Sequence, residues 1–220
     1  MLTSRMLTIA SLAGINDIVA DIGCDHGKLS AYLIKNGLAS VVYATDISEK
    51  SLQKAIELSK REKIQNIEFF LGDGFYAFNK SVDCAIVAGM GGETICEIIE
   101  HNCAKTKLVL QPMKDSEILY KHLIESGFYI EKVQIVREGG RFYEIVLCVP
   151  GKDEPFDYSL PPIEKLVMDE NSRDFFIHKL EVLKRAFNCA RMSKKDVERF
   201  NEISKNINKI EDVLSNVYGF

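Results

Sequence analysis

Four segments rich in glycine and aspartate recur along the chain, each directly after a run of β-branched and apolar residues. They are Asp21–Gly27 (DIGCDHG), Asp46-Ile47, Gly72-Asp73-Gly74 and Ala88–Gly92 (AGMGG). Aspartate accepts hydrogen bonds, and glycine lets a bound molecule approach the main chain closely. If each run is a strand of a parallel sheet, the segments meet in one crevice at the carboxyl ends of the strands. The pattern therefore predicts one ligand site built from four strand ends.

The acidity of the first segment indicates which ligand this is. Dinucleotide-binding proteins seat a pyrophosphate on a glycine-rich turn at this position, and the carboxylates of Asp21 and Asp25 would repel it. They suit the cationic ammonium group of S-adenosylmethionine. Asp46 lies 25 positions after Asp21, near the spacing for hydrogen bonds to a ribose diol, and Asp73 is placed to face an adenine amino group. We expect S-adenosylmethionine to be bound by Asp21, Gly23, Cys24, Asp25, His26, Gly27, Asp46, Ile47, Gly72, Asp73, Gly74, Ala88 and Gly89.

The elements that must position these residues alternate between strand and helix patterns. Strands are predicted at 17–22, 40–46, 67–71, 82–88 and 107–111, and helices at 28–36, 48–63, 93–102 and 116–126. Two further strands, 129–137 and 141–149, flank Glu138-Gly139-Gly140, a spacing that joins antiparallel neighbours. The expected fold class is α/β, with a Rossmann-like class I methyltransferase sheet that ends in an antiparallel hairpin. Ordinary dinucleotide-binding dehydrogenases lack this hairpin.

The last third of the chain has a different pattern. Prolines at 150, 155, 161 and 162 predict a linker at 152–162, between a methyltransferase domain at 1–151 and a helical domain at 163–220. Two apolar stripes, the second with heptad spacing, predict a coiled-coil-like helical hairpin with a turn near Met192-Ser193. The stripes are Phe176, Leu180, Leu183, Phe187 and then Phe200, Ile203, Ile207, Ile210, Leu214, Val217. A cap packed on its own domain and a protruding hairpin that grips a partner both fit this pattern.

The charge distribution shows where a nucleic acid could bind. The net charge is −4, yet the segment 184–199 holds six basic residues and two acids. A basic patch of this kind contacts phosphates, and a solvated helix face is the alternative. Arg5, ahead of the first strand, could contact RNA, close over the cofactor, or lie free on the surface. The RNA-contact candidates are therefore Arg5, Lys184, Arg185, Arg191, Lys194, Lys195 and Arg199.

The sequence contains no motif that predicts a structural metal site or a membrane span. The six cysteines form no CxxC pair and have no histidines at zinc-finger spacing, so we expect reduced thiols in a cytoplasmic protein without a structural metal. The chain has no apolar run of the roughly 18 residues that would cross a membrane. We expect a monomer, although heptads also pair between chains.

With these motifs in place, the chain resembles the bacterial tRNA (adenine(22)-N1)-methyltransferase family over nearly its whole length. The resemblance rests on residues 2–9 (LTSRMLTI), on ADIGCDHG, on 87–92 (VAGMGG), on 110–112 (LQP) and on 141–151 (RFYEIVLCVPG). It implies methyl transfer from S-adenosylmethionine to N1 of an adenine in the D-arm of tRNA, and a helical C-terminal domain. Two positions depart from the family pattern, which often has serine at Cys24 and usually asparagine at Met113.

The methyl transfer that this resemblance implies depends more on alignment of adenine N1 with the methyl group than on acid–base catalysis. Adenine N1 attacks through an in-plane lone pair, so we expect no strong general base, and His26 fits a loop-shaping role better than a catalytic one. Candidates for the target-base pocket are Gly89, Met90, Gly91, Gln111 and Pro112. The alternatives are a methyltransferase acting on another RNA, an exocyclic amine or a small molecule, and a non-catalytic binding module. Amine-directed enzymes usually carry a Pro-Pro-aromatic run where this chain has Gly89–Gly92.

Overall fold

The first domain is a seven-stranded sheet with helices packed on it. The computed structural model describes residues 2–100, 106–193 and 197–219, and only the helical backbone of 189–193 and 197–199. The strands are β1 Asn16–Ile22, β2 Ala39–Asp46, β3 Ile67–Leu71, β4 Cys84–Met90, β5 Lys107–Pro112, β6 Phe128–Glu138 and β7 Arg141–Pro150. The helices are α1 Ser4–Ala13, α2 Lys28–Lys35, α3 Glu49–Arg61, α4 Gly92–Ile99, α5 Ser116–Glu125, α6 Glu170–Ser193 and α7 Val197–Tyr218.

The strand order is β3-β2-β1-β4-β5-β7-β6, with β1 to β5 parallel and β7 antiparallel to both of its neighbours. This confirms the predicted class I methyltransferase sheet. In the terminal hairpin, Glu138 pairs with Arg141 across Gly139 and Gly140, which both have positive φ. Positive φ at both positions is what a two-residue hairpin turn requires. Strands β2 and β3 lie on one side of β1 and strands β4 and β5 on the other, so the carboxyl ends of the parallel neighbours β1 and β4 flank the topological switch point.

Helix α1 was not predicted from the sequence. Thr3 caps its start, because the hydroxyl accepts a hydrogen bond from the Met6 amide (3.4 Å), and Gly14 ends it with φ of 66°. Ile9, Ala10 and Ala13 form its buried face, and α1 packs on β5, β6 and β7. The sequence nevertheless contains three features that predict a helix here: a capping residue, apolar residues at i, i+3 and i+4, and a terminal glycine. The helix puts the side chains of its first turn at the carboxyl ends of the strands.

The chain divides into two compact units, Met1–Lys165 and Leu166–Phe220. Part of the segment predicted as a linker packs on the first unit. The Asp153 carboxylate accepts a hydrogen bond from the Ile130 amide (3.1 Å), and the Phe156 ring lies 5.7 Å from that of Tyr120. Lys165 hydrogen-bonds the Tyr129 hydroxyl. The boundary between the units therefore follows Lys165.

The second unit is a pair of antiparallel helices, α6 and α7. The rings of Phe187 and Phe200 lie 4.4 Å apart towards the end of α6 and the start of α7, and Ser172 and Tyr218 share a hydrogen bond of 2.5 Å at the opposite end of the pair. Three residues of the predicted heptad stripe, Ile203, Ile210 and Leu214, are buried. The predicted apolar stripe thus joins α6 to α7 within this chain.

Candidate cofactor and substrate cavity

A cavity of about 440 Å³ opens at the carboxyl ends of the parallel strands. All four predicted segments contribute to its wall. The predicted residues that line it are Arg5, Asp21, Gly23, Cys24, Asp25, His26, Asp46, Ile47, Gly72, Asp73, Gly74, Ala88, Gly89 and Met90. Residues of the wall that were not predicted are Met6, Ile9, Ile22, Lys28, Leu29, Thr45, Thr94 and Ile98. Met6 and Ile9 belong to α1, which the sequence analysis does not predict, whereas the other six lie in β1, β2, α2 and α4, where the pattern predicts the element but not which side chains face the cavity.

Four predicted residues lie outside the lining. Gly27 packs against α3, where an added Cβ would come within 2.7 Å of the Ala55 Cβ. Its role is to let α2 approach α3, since φ is 65° and no side chain fits. Gly91, Gln111 and Pro112 follow β4 or end β5, but they are not part of the cavity wall. Their assignment to the target-base pocket stays a prediction.

The carboxylate of Asp46 ties two loops together. One oxygen accepts a hydrogen bond from the Asp25 amide (2.9 Å), and the other accepts one from the Ser48 amide (2.8 Å). Asp25 reaches this position with φ of 49°, a left-handed conformation. Each carboxylate oxygen can accept two hydrogen bonds, so Asp46 can still accept bonds from a diol in the cavity. The side chain therefore shapes the site and remains able to bind a ligand.

Asp21 is a buried carboxyl group at the end of β1. It is 4% exposed and accepts a 2.5 Å hydrogen bond from the Ser30 hydroxyl. Burial raises the pKa of Asp21 from 3.8 to about 6, against the opposing effect of the Ser30 hydrogen bond. Because the raised pKa penalises ionisation in the folded state, the free energy of unfolding falls as the pH rises from about 4 to about 6. A cation placed in the cavity would offset this penalty.

The loops after β4 and β5 are joined through their main chains. The Met113 amide donates to the Met90 carbonyl (2.7 Å), and the Gly92 amide donates to the Lys114 carbonyl (3.0 Å). A Cβ at Gly92 would lie 2.2 Å from the Asp115 carbonyl oxygen, whereas one at Gly91 would come no closer to any atom than 3.4 Å, to the flexible end of Lys114. Gly92 is therefore required for the close approach of these two loops.

Replacing Gly92 with alanine is expected to lower the free energy of unfolding by about 2–3 kcal/mol, because the new methyl group collides with main chain that must move. The matched control is Gly91→Ala, one residue away, which we expect to change stability by less than about 0.5 kcal/mol. Urea unfolding followed by circular dichroism measures both. Equal stability of the two variants would show that the loops are not held at this distance.

Arg5 reaches the cavity from α1 through a set of defined contacts. Its Nη1 donates to Gln111 Oε1 (2.6 Å), and its main-chain amide donates to the Glu138 carboxylate (2.9 Å). The guanidinium carbon lies 4.9 Å from the centre of the Tyr143 ring. Met113, 43% exposed, places its sulfur 3.5 Å from the same Nη1. Arg5 is therefore packed and hydrogen-bonded, so the surface alternative for it is wrong.

The cysteines in the described part of the chain are free thiols. Cys24, Cys84, Cys96 and Cys148 are buried. Burial raises the pKa of Cys24 far above its usual value, and that of Cys96 to about 11, so these groups are protonated at neutral pH. In the segments for which side chains are described, no group of three or more histidine, cysteine or acidic residues could hold a metal ion. Within the same segments, no helix is long and apolar enough to span a membrane.

Part of the predicted basic patch lies outside the described residues. Lys184 forms a 2.7 Å ion pair with Glu211, and Arg185 lies 3.6 Å from Glu181, so both charges have an acidic neighbour. Lys194 and Lys195 are outside the described residues, as are the side chains of Arg191 and Arg199. Binding of RNA by this patch stays a prediction.

Comparison with known proteins identifies the class of the first domain. A model of the methyltransferase domain matches residues 2–146. The tRNA (adenine(22)-N(1))-methyltransferase of Bacillus subtilis is 29% identical over 163 residues, 71% of this chain and 68% of the relative. A protein of Mycoplasma genitalium, assigned provisionally as a tRNA methyltransferase, is 32% identical over 158 residues, 69% of this chain and 71% of its own.

A solved structure extends the likeness to the whole chain. It is a Streptococcus pneumoniae protein, assigned provisionally as a tRNA (m1A22) methyltransferase, in complex with S-adenosyl-L-methionine. It has a TM-score of 0.84 and 26% identity, covering 97% of this chain and 100% of its own. Its length includes the counterpart of the helical unit as well as the sheet. This chain carries a methyltransferase domain and belongs to the bacterial tRNA (adenine(22)-N1)-methyltransferase family.

Proposed function

We propose that this chain transfers the methyl group of S-adenosylmethionine to N1 of the adenine at position 22 in the D-arm of tRNA. The observation that carries the proposal is the cavity, where three acidic strand ends and Gly89, near the end of β4, line one space. The relatives from Bacillus subtilis and Streptococcus pneumoniae, named for this activity, support the choice of substrate.

The residues of the cavity fit S-adenosylmethionine. Asp46 and Asp73 both line the cavity at neighbouring strand ends, which supports the proposal that Asp46 accepts bonds from the ribose diol and Asp73 from the adenine amino group. The buried carboxyl group of Asp21 suits a cationic ligand. The hydroxyl of Thr45 is also buried in the cavity wall and has no hydrogen-bond partner among the described residues. An unsatisfied buried hydroxyl is a group that a ligand can satisfy.

The bound cofactor supplies a methyl group on a positively charged sulfur, which is ready for in-line displacement. The chain's task is then to align the target adenine and to exclude water. Met6, Ile9 and Met90 give the wall an apolar side. His26 is half exposed, with Nε2 3.1 Å from the Lys54 ammonium group, which favours a role in shaping the loop. The N1 lone pair needs no residue to remove a proton before it attacks.

Cofactor affinity is expected to rise with pH between about 5 and 7, because Asp21 must be ionised to balance the positive charge of S-adenosylmethionine. With a pKa of about 6 before binding, up to one proton is released, so the affinity gains up to about tenfold per pH unit below pH 6. Calorimetry across this range measures the slope. Asp21→Asn should remove it, and a wild-type affinity independent of pH would contradict the role of Asp21.

The proposed substrate is tested with two tRNA transcripts that differ only at position 22. Methyl-labelled S-adenosylmethionine should label the transcript with adenine there and leave the transcript with uracil unlabelled. Equal labelling of the two transcripts would show that the methylated nucleotide is not the one at position 22. Cofactor binding without any labelling would favour another RNA or a small-molecule substrate, and absence of cofactor binding would favour the non-catalytic binding module.

The proposal also includes a monomer in the cytoplasm, the compartment of the proposed substrate. The apolar faces of α6 and α7 bury Ile203, Ile210 and Leu214 within one chain, which supports a monomer. Light scattering coupled to size-exclusion chromatography should give one chain mass. A concentration-dependent doubling of that mass would favour pairing of helices between chains.

A further inference from the structure

Arg5 is held from three elements that lie far away in the sequence. Its guanidinium group donates to Gln111 at the end of β5, lies 3.9 Å from Glu138 at the end of β6 and lies over Tyr143 near the start of β7. Such separation means that the tertiary fold, and not the local chain, fixes the side chain. Arg5 is also part of the cavity wall, unlike its three partners. The network therefore holds one planar cationic group at the edge of the cavity.

Gln111 is built to orient this guanidinium group. The side chain is fully buried, and its amide nitrogen donates to the Pro112 carbonyl (2.7 Å). Since the nitrogen is fixed there, the oxygen faces Arg5 Nη1 at 2.6 Å. A buried amide with both ends bonded gives its neighbour one orientation. Gln111 is not part of the cavity wall, so its contact with Arg5 is its link to the cavity.

The surroundings of Arg5 favour a planar ligand over a phosphate. Glu138 lies 3.9 Å from Arg5 Nε and offsets the positive charge that would attract an anion. Nη1 donates to Gln111, whereas Nε is buried and has no hydrogen-bond partner among the described residues. The guanidinium carbon lies over the Tyr143 ring, 4.9 Å from its centre. Nucleobases commonly pack on such arginine planes.

The position of the Arg5 partners in the sheet indicates whether Arg5 faces the adenine of the cofactor or that of the substrate. Asp46 and Asp73, proposed for the adenosine half of the cofactor, follow β2 and β3, whereas the partners of Arg5 belong to β5, β6 and β7 on the other side of β1. Met90, which ends β4, lies in the wall between these two groups. The incoming adenine has to approach the methyl group from the side away from the cofactor's adenosine.

We propose that Arg5 is a substrate-binding residue whose guanidinium plane packs against the target adenine, with Gln111 as its positioning residue. This inference rests on the proposed function and assigns the wall of its target-base site. In this proposal Gln111 orients Arg5 and does not itself line the target-base pocket. It also assigns Arg5 to the base and not to a phosphate.

The test compares Arg5→Ala and Arg5→Lys with the matched surface control Arg61→Ala. Both Arg5 variants should lower kcat/KM for tRNA by 10- to 100-fold, while the affinity for S-adenosylmethionine, measured by calorimetry, stays within threefold of wild type. Arg61→Ala should behave as wild type. Lysine keeps the charge but not the plane, so wild-type activity of Arg5→Lys would overturn the proposal in favour of a phosphate contact. A loss confined to cofactor affinity would overturn it in favour of the cofactor's carboxylate.

The positioning role of Gln111 has a separate signature. Gln111→Leu should lower kcat/KM for tRNA in the same direction as Arg5→Ala, and the double variant should be no worse than Arg5→Ala alone. Additive losses would overturn the coupling, because they would mean that Gln111 acts independently of Arg5. Thermal unfolding by circular dichroism checks that each variant folds. An inactive wild type would overturn the proposed function itself, whereas an active wild type with a fully active Arg5→Ala overturns only this inference.

Discussion

Replacing Asp46 with asparagine is expected to weaken S-adenosylmethionine binding by about 100-fold, the equivalent of two lost hydrogen bonds to a charged group. The carboxylate accepts bonds from the Asp25 and Ser48 amides at 2.9 and 2.8 Å, and it has lone pairs left for the ribose. Asparagine offers one oxygen in place of two, and its amide nitrogen would face a main-chain N–H. The variant loses both the loop geometry and an acceptor. Calorimetry with S-adenosylmethionine measures the loss.

Asp83→Asn is the matched control for this prediction. Asp83 also accepts a main-chain hydrogen bond, from the Ile18 amide at 2.8 Å, but it lies just before β4, at the opposite end of the strand from the cavity. Its replacement should leave cofactor affinity unchanged. A wild-type affinity in Asp46→Asn, or an equal loss in both variants, would contradict the assignment of Asp46 to the ribose.

A chain cut after Lys165 is expected to keep its cofactor affinity and to lose at least about 100-fold in tRNA methylation, because the phosphate contacts predicted for the helical unit would be removed. The cut falls between the two compact units. A cut at 151 would also remove Asp153 and Phe156, which pack on the sheet domain. Calorimetry and a methylation assay on the fragment 1–165 test both parts of the prediction.

Two outcomes would contradict the role given to the helical unit. If the fragment 1–165 methylates tRNA at the full rate, α6 and α7 are dispensable for substrate binding. If the fragment also loses cofactor affinity while its circular dichroism matches that of a folded domain, the second unit contributes to the cofactor site. The fragment 1–151 serves as a control and should be less stable, since it lacks the packed segment before Lys165.

The strand ends could be predicted from the sequence because both their burial and their chemistry are local. A buried parallel strand is a continuous apolar run, and a glycine or aspartate ends it at the ligand crevice. Asp21, Asp46 and Asp73 were found in this way, and all three line the cavity. The hairpin of β6 and β7 could also be predicted from the sequence, because Gly139 and Gly140 provide the positive φ that its turn requires.

The network around Arg5 could not be predicted, because its members are brought together only by the sheet. Arg5 and Gln111 are 106 positions apart, and Arg5 and Glu138 are 133 apart. Side-chain type gave no sign that Gln111 would turn towards Arg5 and away from the cavity. The element that the sequence analysis does not predict is α1, a ten-residue helix with only a mild apolar pattern. Short helices of this kind depend on tertiary packing for their stability.

The most direct measurement of the central claim is a single turnover with protein loaded with methyl-labelled S-adenosylmethionine and an excess of unmodified tRNA. The tRNA is then digested, and the labelled nucleoside is identified and mapped. We expect the label in N1-methyladenosine at position 22 alone, with one S-adenosylhomocysteine formed per methyl group transferred. Label at another atom of adenine, at another position, or only in a small molecule would contradict the proposed reaction.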